Sequence, residues 1–245
     1  MHVKLKKKFG QNFLIDKKII HKIFRLINQN NLNILEIGPG DGKLTKHLIE
    51  RNPKNLDLVE IDKDLIIDLN NNFKTYKFIN IFNEDILKFN INKNYDLVIS
   101  NLPYNLSSKV LEKLVLLKQN PKIMILMFQK EFAERLMSKD LNSINSLTKC
   151  FFRVNFQFNV SKNCFKPVPK VESSVLLFEK LKKSLLKKNE TQNFIKFKRY
   201  IFSHKRKSLR KVLKKFSISE FDKLDLRAEK LNIYDLIKIF REVKP

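Results

Sequence analysis

Between Ile34 and Lys180 the chain repeats one pattern: a short apolar run, then a stretch whose apolar positions recur three and four residues apart. The short runs predict strands at Ile34–Ile37, Leu56–Ile61, Tyr76–Ile81, Tyr95–Ser100 and Ile123–Phe128. Between them the helical spacing predicts helices at Lys43–Ile49, Asp64–Asn72 and Ser107–Gln119, the last with a serine start and Val110, Leu111, Leu114 and Leu117 on one face. A further helix is expected over Ser143–Phe151. After it the period changes to two: Arg153–Val160 and Ser173–Lys180 read as an antiparallel pair joined by a long loop holding Pro167 and Pro169. The result is an α/β fold, a parallel sheet wrapped by helices and closed by an antiparallel hairpin, seven strands in all.

Beyond Lys180 the strand signals stop. Phe194–Phe216 is helical in period, with Ile195, Tyr200, Ile201, Leu209, Val212, Leu213 and Phe216 set among lysines and arginines. Ser219–Leu224 and Ile233–Arg241 read as two shorter helices. The pattern divides the chain into a sheet domain, 1–180, and a small C-terminal all-α domain, 181–245, with no internal repeats.

Composition narrows the function. No apolar run approaches the ~20 residues of a membrane span, and the N-terminus lacks a signal-peptide core, so a cytoplasmic protein without membrane partners is expected. Cys150 and Cys164 lack metal-ligand spacing and the four histidines are scattered singly, which predicts no metal site and reduced thiols. The formal charge of +25 points to a polyanionic partner. Codon drift competes as an explanation, because lysine outnumbers arginine 41 to 9 and Asn and Ile abound. Drift does not account for the distribution: 20 basic and 7 acidic side chains fall in residues 181–245, against 30 and 18 in residues 1–180.

Glycine is scarce, and its placement is informative. Average usage of about 7% would give about 17, yet the chain has 4: Gly10, in Phe9-Gly10-Gln11-Asn12-Phe13-Leu14, and Gly38, Gly40 and Gly42 in one strand-to-helix turn. Where glycine survives such depletion, a positive φ or a close approach to the backbone is expected. A glycine-rich turn between strand and helix is where α/β folds hold nucleotide-like cofactors. Glu60 closes the second strand, placed to accept from ribose hydroxyls, and Asp85 follows the third, suited to an adenine amino group. No Gly-x-x-x-x-Gly-Lys-Ser/Thr loop is present, and Lys43 is the one cation beside the turn. The pocket therefore suits an uncharged or cationic nucleoside better than a nucleotide polyphosphate.

The sharpest motif is Asn101-Leu102-Pro103-Tyr104, directly after the strand Tyr95–Ser100. An exocyclic nucleobase amine is a poor nucleophile because its lone pair is delocalised into the ring. Methylating it requires acceptors for its two N–H hydrogens, so that nitrogen presents its lone pair to the methyl donor. The Asn101 side-chain oxygen and the Leu102 or Pro103 carbonyl can serve, and Tyr104 offers a ring for a flipped base to stack on. No titrating base is needed, because the methylated amine loses its proton readily.

These motifs resemble the small-subunit ribosomal RNA adenine dimethyltransferases. The resemblance runs through Lys8–Leu14, Glu36–Thr45, Glu60-Ile61-Asp62, Glu84-Asp85, Asn101–Asn105, Phe128–Glu131 with Arg135-Leu136, Phe165–Val175, Lys205–Arg210 and Arg227–Leu231. It implies a Rossmann-like class I methyltransferase domain, with helices on both faces of a mixed seven-stranded sheet. It also implies S-adenosylmethionine as cofactor, held by Asn12, Leu14, Gly38, Glu60, Asp85 and Asn101, to which the glycine turn adds Gly40. The reaction implied is N6,N6-dimethylation of two adjacent adenosines in the 3′-terminal hairpin of small-subunit rRNA, by a monomer acting on an immature subunit. Lys205, Arg206, Lys207, Arg210 and Lys211 are the expected RNA contacts. Asn142 and Asn145 stand where the family usually has Tyr and Leu, and the C-terminal domain is short, which bears on packing and RNA contact rather than on methyl transfer.

Two other functions compete. Large-subunit rRNA methyltransferases of the macrolide-resistance type share Gln-Asn-Phe-Leu and the Asn-x-Pro-Tyr turn, but Phe9-Gly10 and Pro169–Ser174 fit the small-subunit group better. A non-catalytic nucleic-acid-binding assembly or transcription factor on the same fold has no need of Glu60, Asp85 and the Asn101–Tyr104 turn together.

Overall fold

A computed structural model describes residues 11–216 and 221–243. A two-stranded antiparallel sheet pairs β1 (Phe13–Leu14) with β8 (Phe165–Lys166). Seven further strands form one sheet: β2 Asn33–Ile37, β3 Asn55–Glu60, β4 Ile79–Asn83, β5 Leu97–Asn101, β6 Ile123–Gln129, β7 Phe152–Val160 and β9 Ser173–Lys180. Their order across the sheet is β4-β3-β2-β5-β6-β9-β7. The pairs β4–β3, β3–β2, β2–β5 and β5–β6 are parallel, and β9 runs antiparallel to β6. This is the expected mixed α/β sheet.

The apolar runs form central strands because both faces are covered. Ile34, Leu56, Leu58, Leu97, Ile99, Ile125 and Met127 pack with Ile20, Ile23 and Ile27 of α1 (Lys17–Arg25) and its end, Leu48 of α2 (Lys43–Ile49), and Leu69 and Phe73 of α3 (Lys63–Phe73). Strand residues of the opposite parity, Leu35, Ile37, Val98, Met124, Leu126 and Phe128, are equally buried, as are Val110, Leu111 and Leu114 of α4 (Ser107–Leu116).

Several predicted boundaries move, each for a local reason. The expected Tyr76–Ile81 strand begins at Ile79, because Tyr76 N–H returns to the Phe73 carbonyl and Ile79 N–H to that of Tyr76, closing a turn first. The expected Ser107–Gln119 helix stops at Leu116, where Asn120 Nδ2 donates to the Leu114 and Val115 carbonyls. The Ser143–Phe151 helix shrinks to α6 (Asn145–Lys149), and α1 and α5 (Lys130–Met137) were not expected.

The chain divides into two compact units: 1–133 with 155–180, and 134–154 with 181–245. The second takes in 134–154 as well as the tail beyond Lys180, so the expected division at 180/181 does not describe its full extent. Within it, the single helix expected over Phe194–Phe216 is two, α7 (Thr191–Ser203) and α8 (Leu209–Val212). The chain turns at His204–Lys207, and Leu209 and Arg210 donate their N–H groups to the Leu226 and Leu224 carbonyls. The last helix, α9, is Ile233–Glu242, close to expectation; Ser219 and Glu220 of the expected Ser219–Leu224 helix lie outside the described residues. Asn142 and Asn145 act within this unit. Asn145 is fully buried, donating Nδ2 to the Ser138 and Asp140 carbonyls and accepting from Asn142 N–H, while Asn142 Oδ1 accepts from Ile144 and Asn145 N–H. The pair ties the 135–145 turn to itself, a polar knot where Tyr and Leu would have filled space.

Candidate active site

The site lies at the C-terminal ends of the parallel strands, in a pocket built within the first unit. Asn12, Leu14, Gly38, Gly40, Glu60, Asp85, Asn101, Leu102, Pro103 and Tyr104 all line it. Residues more than 80 positions apart in sequence thus meet, because parallel strands end on one edge. Lys8, Phe9 and Gly10 lie outside the described residues.

The glycine turn has the backbone that its composition predicts: φ is +65° at Gly38, +60° at Gly40 and +74° at Gly42. Elsewhere Asn31 and Asn52 take the left-handed positions, at +56° and +45°, which explains how so few glycines suffice. The three glycines do different work. A Cβ on Gly40 would stand 2.7 Å from the Phe13 ring, and one on Gly42 2.7 Å from Phe73, whereas one on Gly38 meets nothing within 4 Å. Gly38 therefore borders open space in the pocket, Gly40 lets β1 approach, and Gly42 seats α2 against α3.

Glu60, at the end of β3, is 6% exposed. Its Oε2 accepts from Gly40 N–H at 3.3 Å and its Oε1 from Asp62 N–H at 2.9 Å, so the acid is oriented by the turn it faces. Burial raises its pKa, against the opposing pull of these N–H groups. Asp62 in turn caps α3 through Asp64 N–H and accepts from Gln11 Nε2 at 2.8 Å. Asp85 Oδ1 accepts from Leu87 N–H at 2.9 Å, fixing the carboxylate at the pocket rim. Lys43 is ion-paired with Asp41, which occupies the one cation beside the turn.

Asn101 ends β5 and donates Nδ2 to the Asn12 carbonyl at 2.8 Å. That bond sets which way the amide faces and leaves its oxygen as an acceptor. The Pro103 carbonyl accepts from Leu106 N–H at 3.0 Å and from Ser107 Oγ at 3.4 Å as α4 begins, so of the two carbonyls considered for a substrate amine, that of Leu102 is the better candidate. The Tyr104 phenol bonds Ser173 Oγ at 2.9 Å, and burial raises its pKa.

Some lining residues were not among the expected ones. Glu36, 2% exposed at the heart of β2, accepts from Thr45 Oγ1 at 2.7 Å; burial pushes its carboxyl up to about 8, with Asp41 and Glu60 adding repulsion and the Thr45 bond opposing. Gln11 and Phe13 line the pocket alongside Asn12 and Leu14. Ile61, 43% exposed just after Glu60, and Ile86, just after Asp85, give it apolar wall. An aliphatic residue following each rim acid was the available signal for these two. For Glu36 the available signals were an acid in an apolar strand and its place at the head of the Glu36–Thr45 segment. Among the described residues no cluster of His, Cys, Asp and Glu is arranged to hold a metal, and no helix is long and apolar enough to cross a membrane.

The five basic residues expected at RNA are all exposed in the second unit. Lys205, Arg206 and Lys207 occupy the turn between α7 and α8, and Arg210 and Lys211 lie on α8. Arg210 is held by Asp225 through Nε at 2.7 Å and Nη2 at 2.9 Å.

Comparison with known proteins identifies the family. The profile of the family described as Ribosomal RNA adenine dimethylase matches residues 2–242. Curated proteins called Ribosomal RNA small subunit methyltransferase A are similar over nearly their whole length. That of Pelagibacter ubique is 37% identical over 100% of both chains, and that of Mycoplasmopsis synoviae 39% identical over 96% of this chain and 91% of its own. Among solved structures, a dimethyladenosine transferase from Plasmodium falciparum is similar with a TM-score of 0.83, at 25% identity over 93% of this chain and 95% of that one. The 23S rRNA methyltransferase ErmE shares the fold, with a TM-score of 0.76 at 21% identity over 95% and 99%. The chain belongs to the ribosomal RNA adenine dimethylase family, and is an rRNA adenine dimethyltransferase.

Proposed function

We propose that this protein transfers methyl groups from S-adenosylmethionine to N6 of two adjacent adenosines in the 3′-terminal hairpin of small-subunit rRNA, acting as a cytoplasmic monomer on an immature subunit. Methyl-donor chemistry of this kind is general to methyltransferases. Its assignment to this pocket rests on the donor set: two rim carboxylates, open space at Gly38, and a lysine already neutralised by Asp41. Glu60 would take the ribose hydroxyls, with lone pairs remaining on both oxygens, and Asp85 the adenine edge. Asn12, Leu14, Gly38, Gly40 and Asn101 would line the rest of the ligand. When bound, the cofactor supplies an electrophilic methyl group.

The observation that carries the reading is the bond from Asn101 Nδ2 to the Asn12 carbonyl. It commits the amide nitrogen and turns the oxygen into a fixed acceptor for one amine hydrogen, with the Leu102 carbonyl for the other. Nitrogen then holds its lone pair toward the methyl group, and Tyr104 stacks the base that has left the helix. A preorganised acceptor does not have to reorient as charge develops. The same bond links target recognition to the segment lining the cofactor pocket.

Two measurements test this. Purified protein with labelled S-adenosylmethionine is expected to modify undermethylated small subunits and to leave large-subunit rRNA unlabelled; label on the large subunit, or none at all, overturns the assignment. By calorimetry, Glu60→Ala is expected to weaken cofactor binding by about 1.5–3 kcal/mol, the scale of hydrogen bonds to a charged acceptor. Unchanged affinity would remove Glu60 from the ribose.

A further inference from the structure

Ser173 opens β9, and its side chain is fully buried. Its neighbour Ser174 is also buried, its hydroxyl bonded to Asn159 Oδ1 at 2.7 Å, and neither member of that pair lines the pocket. The Ser173 hydroxyl instead meets the Tyr104 phenol at 2.9 Å. The two groups arrive by different routes. Tyr104 comes from the turn after β5, outside any ladder, and lines the pocket. Ser173 is fixed in the β6–β9 ladder opposite Gln129, and on its N-terminal side the Glu172 carbonyl accepts from Lys130 N–H while the Glu172 carboxylate pairs with Lys130 Nζ at 3.0 Å. A rigid strand end therefore holds a ring borne on a turn.

The phenol oxygen lies on the axis of the ring, so a bond there fixes where the far end of the ring sits, and the preference of a phenol for partners near its ring plane restrains the tilt about that axis. Burying a hydroxyl in a strand end carries a desolvation cost that alanine avoids, and the hydrogen bond to Tyr104 offsets it. We propose that Ser173 is a positioning residue for methyl transfer: its hydroxyl holds the Tyr104 ring in the place where the target adenine stacks. This rests on the reading that Tyr104 stacks the base. The bond contributes to the step in which the base is already in place, so it acts on turnover more than on capture of the RNA.

The test is a double-mutant cycle on the full chain, with undermethylated small subunits and labelled S-adenosylmethionine. Ser173→Ala and Tyr104→Phe each remove one end of the bond and are each expected to lower kcat about three- to tenfold, the scale of one neutral hydrogen bond. KM for the subunit and cofactor affinity should stay unchanged. The double variant should be no slower than either single one, since both remove the same interaction. Losses that multiply, an effect confined to a rise in KM, or wild-type kcat in either single variant overturn the positioning role. Tyr104→Ala separates this from the stacking reading. If it abolishes turnover while the two conservative variants are at wild-type rate, stacking stands and the Ser173 role fails. If Tyr104→Ala turns over normally, both fail together.

Discussion

Two single residues in the pocket make sharp predictions. Asn101 is held by one bond to Asn12, so removing its side chain takes away an oriented acceptor and loosens the N-terminal segment over the pocket. Asn101→Ala is expected to lower kcat by about 10²–10³-fold, the scale for one preorganised transition-state contact. Steady-state turnover with RNA and cofactor saturating checks this, and near-wild-type kcat rules the role out. Glu36 makes a different kind of prediction. Its raised pKa, about 8, means the folded protein keeps the carboxyl neutral where an unfolded chain has ionised it. The stability gained from the proton is full below the unfolded value, near 4.5, and is lost as pH rises toward 8. Glu36→Gln keeps the acceptor for Thr45 and removes the titration. In urea unfolding without cofactor, the variant should gain on the wild type by more than about 1 kcal/mol between pH 5 and pH 8.5. An equal difference at both pH values would show that Glu36 does not titrate in this range.

At the scale of elements, the turn between β2 and α2 is where sequence and packing agree most closely. Its three glycines have positive φ, yet only two face a neighbouring ring. Gly42→Ala places a methyl against Phe73, where α2 and α3 meet the core, and should destabilise the protein by about 2–4 kcal/mol from strain and overpacking together. Gly40→Ala places one against Phe13 and so displaces β1, whose flanking residue Asn12 and own Leu14 line the pocket. Cofactor affinity should fall about tenfold or more there, with a smaller loss of stability. Thermal melts and calorimetry on the two variants check the contrast, and the same profile for both would refute the division of labour. The tail helices teach a complementary lesson. The apolar period of Phe194–Phe216 is continuous, but the chain breaks at His204 because Leu209 and Arg210 find backbone acceptors in 224–226, and Tyr200 bonds the Val212 carbonyl at 3.0 Å.

For the whole molecule, net charge is the controlling quantity. A chain of +25 is attracted to any polyanion, so the question is which charges act locally on the RNA. Lys205, Arg206 and Lys207 stand exposed on one turn, whereas Arg210 is already engaged by Asp225. Reversing Lys205, Arg206 and Lys207 to Glu should weaken capture of the immature subunit and flatten the slope of log affinity against log salt by about 2–3, since each phosphate left without its cation keeps roughly one counterion. S-adenosylmethionine affinity should not change. A slope equal to the wild type would make the turn a solvated face. Arg210→Ala alone is expected to do less, because much of its charge is spent on Asp225.

The sequence alone determined the seven strands of the main sheet, to within a few residues, and which side chains stand at their ends. An apolar run of five or six residues buried on both faces has few other solutions, and parallel strands bring their C-terminal ends to one edge whatever the loops between them. Glu60, Asp85, Asn101 and the glycine turn were therefore legible as one pocket from the order of residues. What tertiary structure decided are pairings that no local pattern encodes. These are the antiparallel pairing of Phe13–Leu14 with Phe165–Lys166, the bonds from Asn101 to Asn12 and from Tyr104 to Ser173, and the pairing of Arg210 with Asp225. The membership of 134–154 in the second unit is of the same kind. Hydrophobic periodicity reports which face of an element is buried, because that is a local property of spacing. Which element buries it, and which carboxyl loses its water, depends on partners distant along the chain, and Glu36 acquires its raised pKa only when the sheet closes over it.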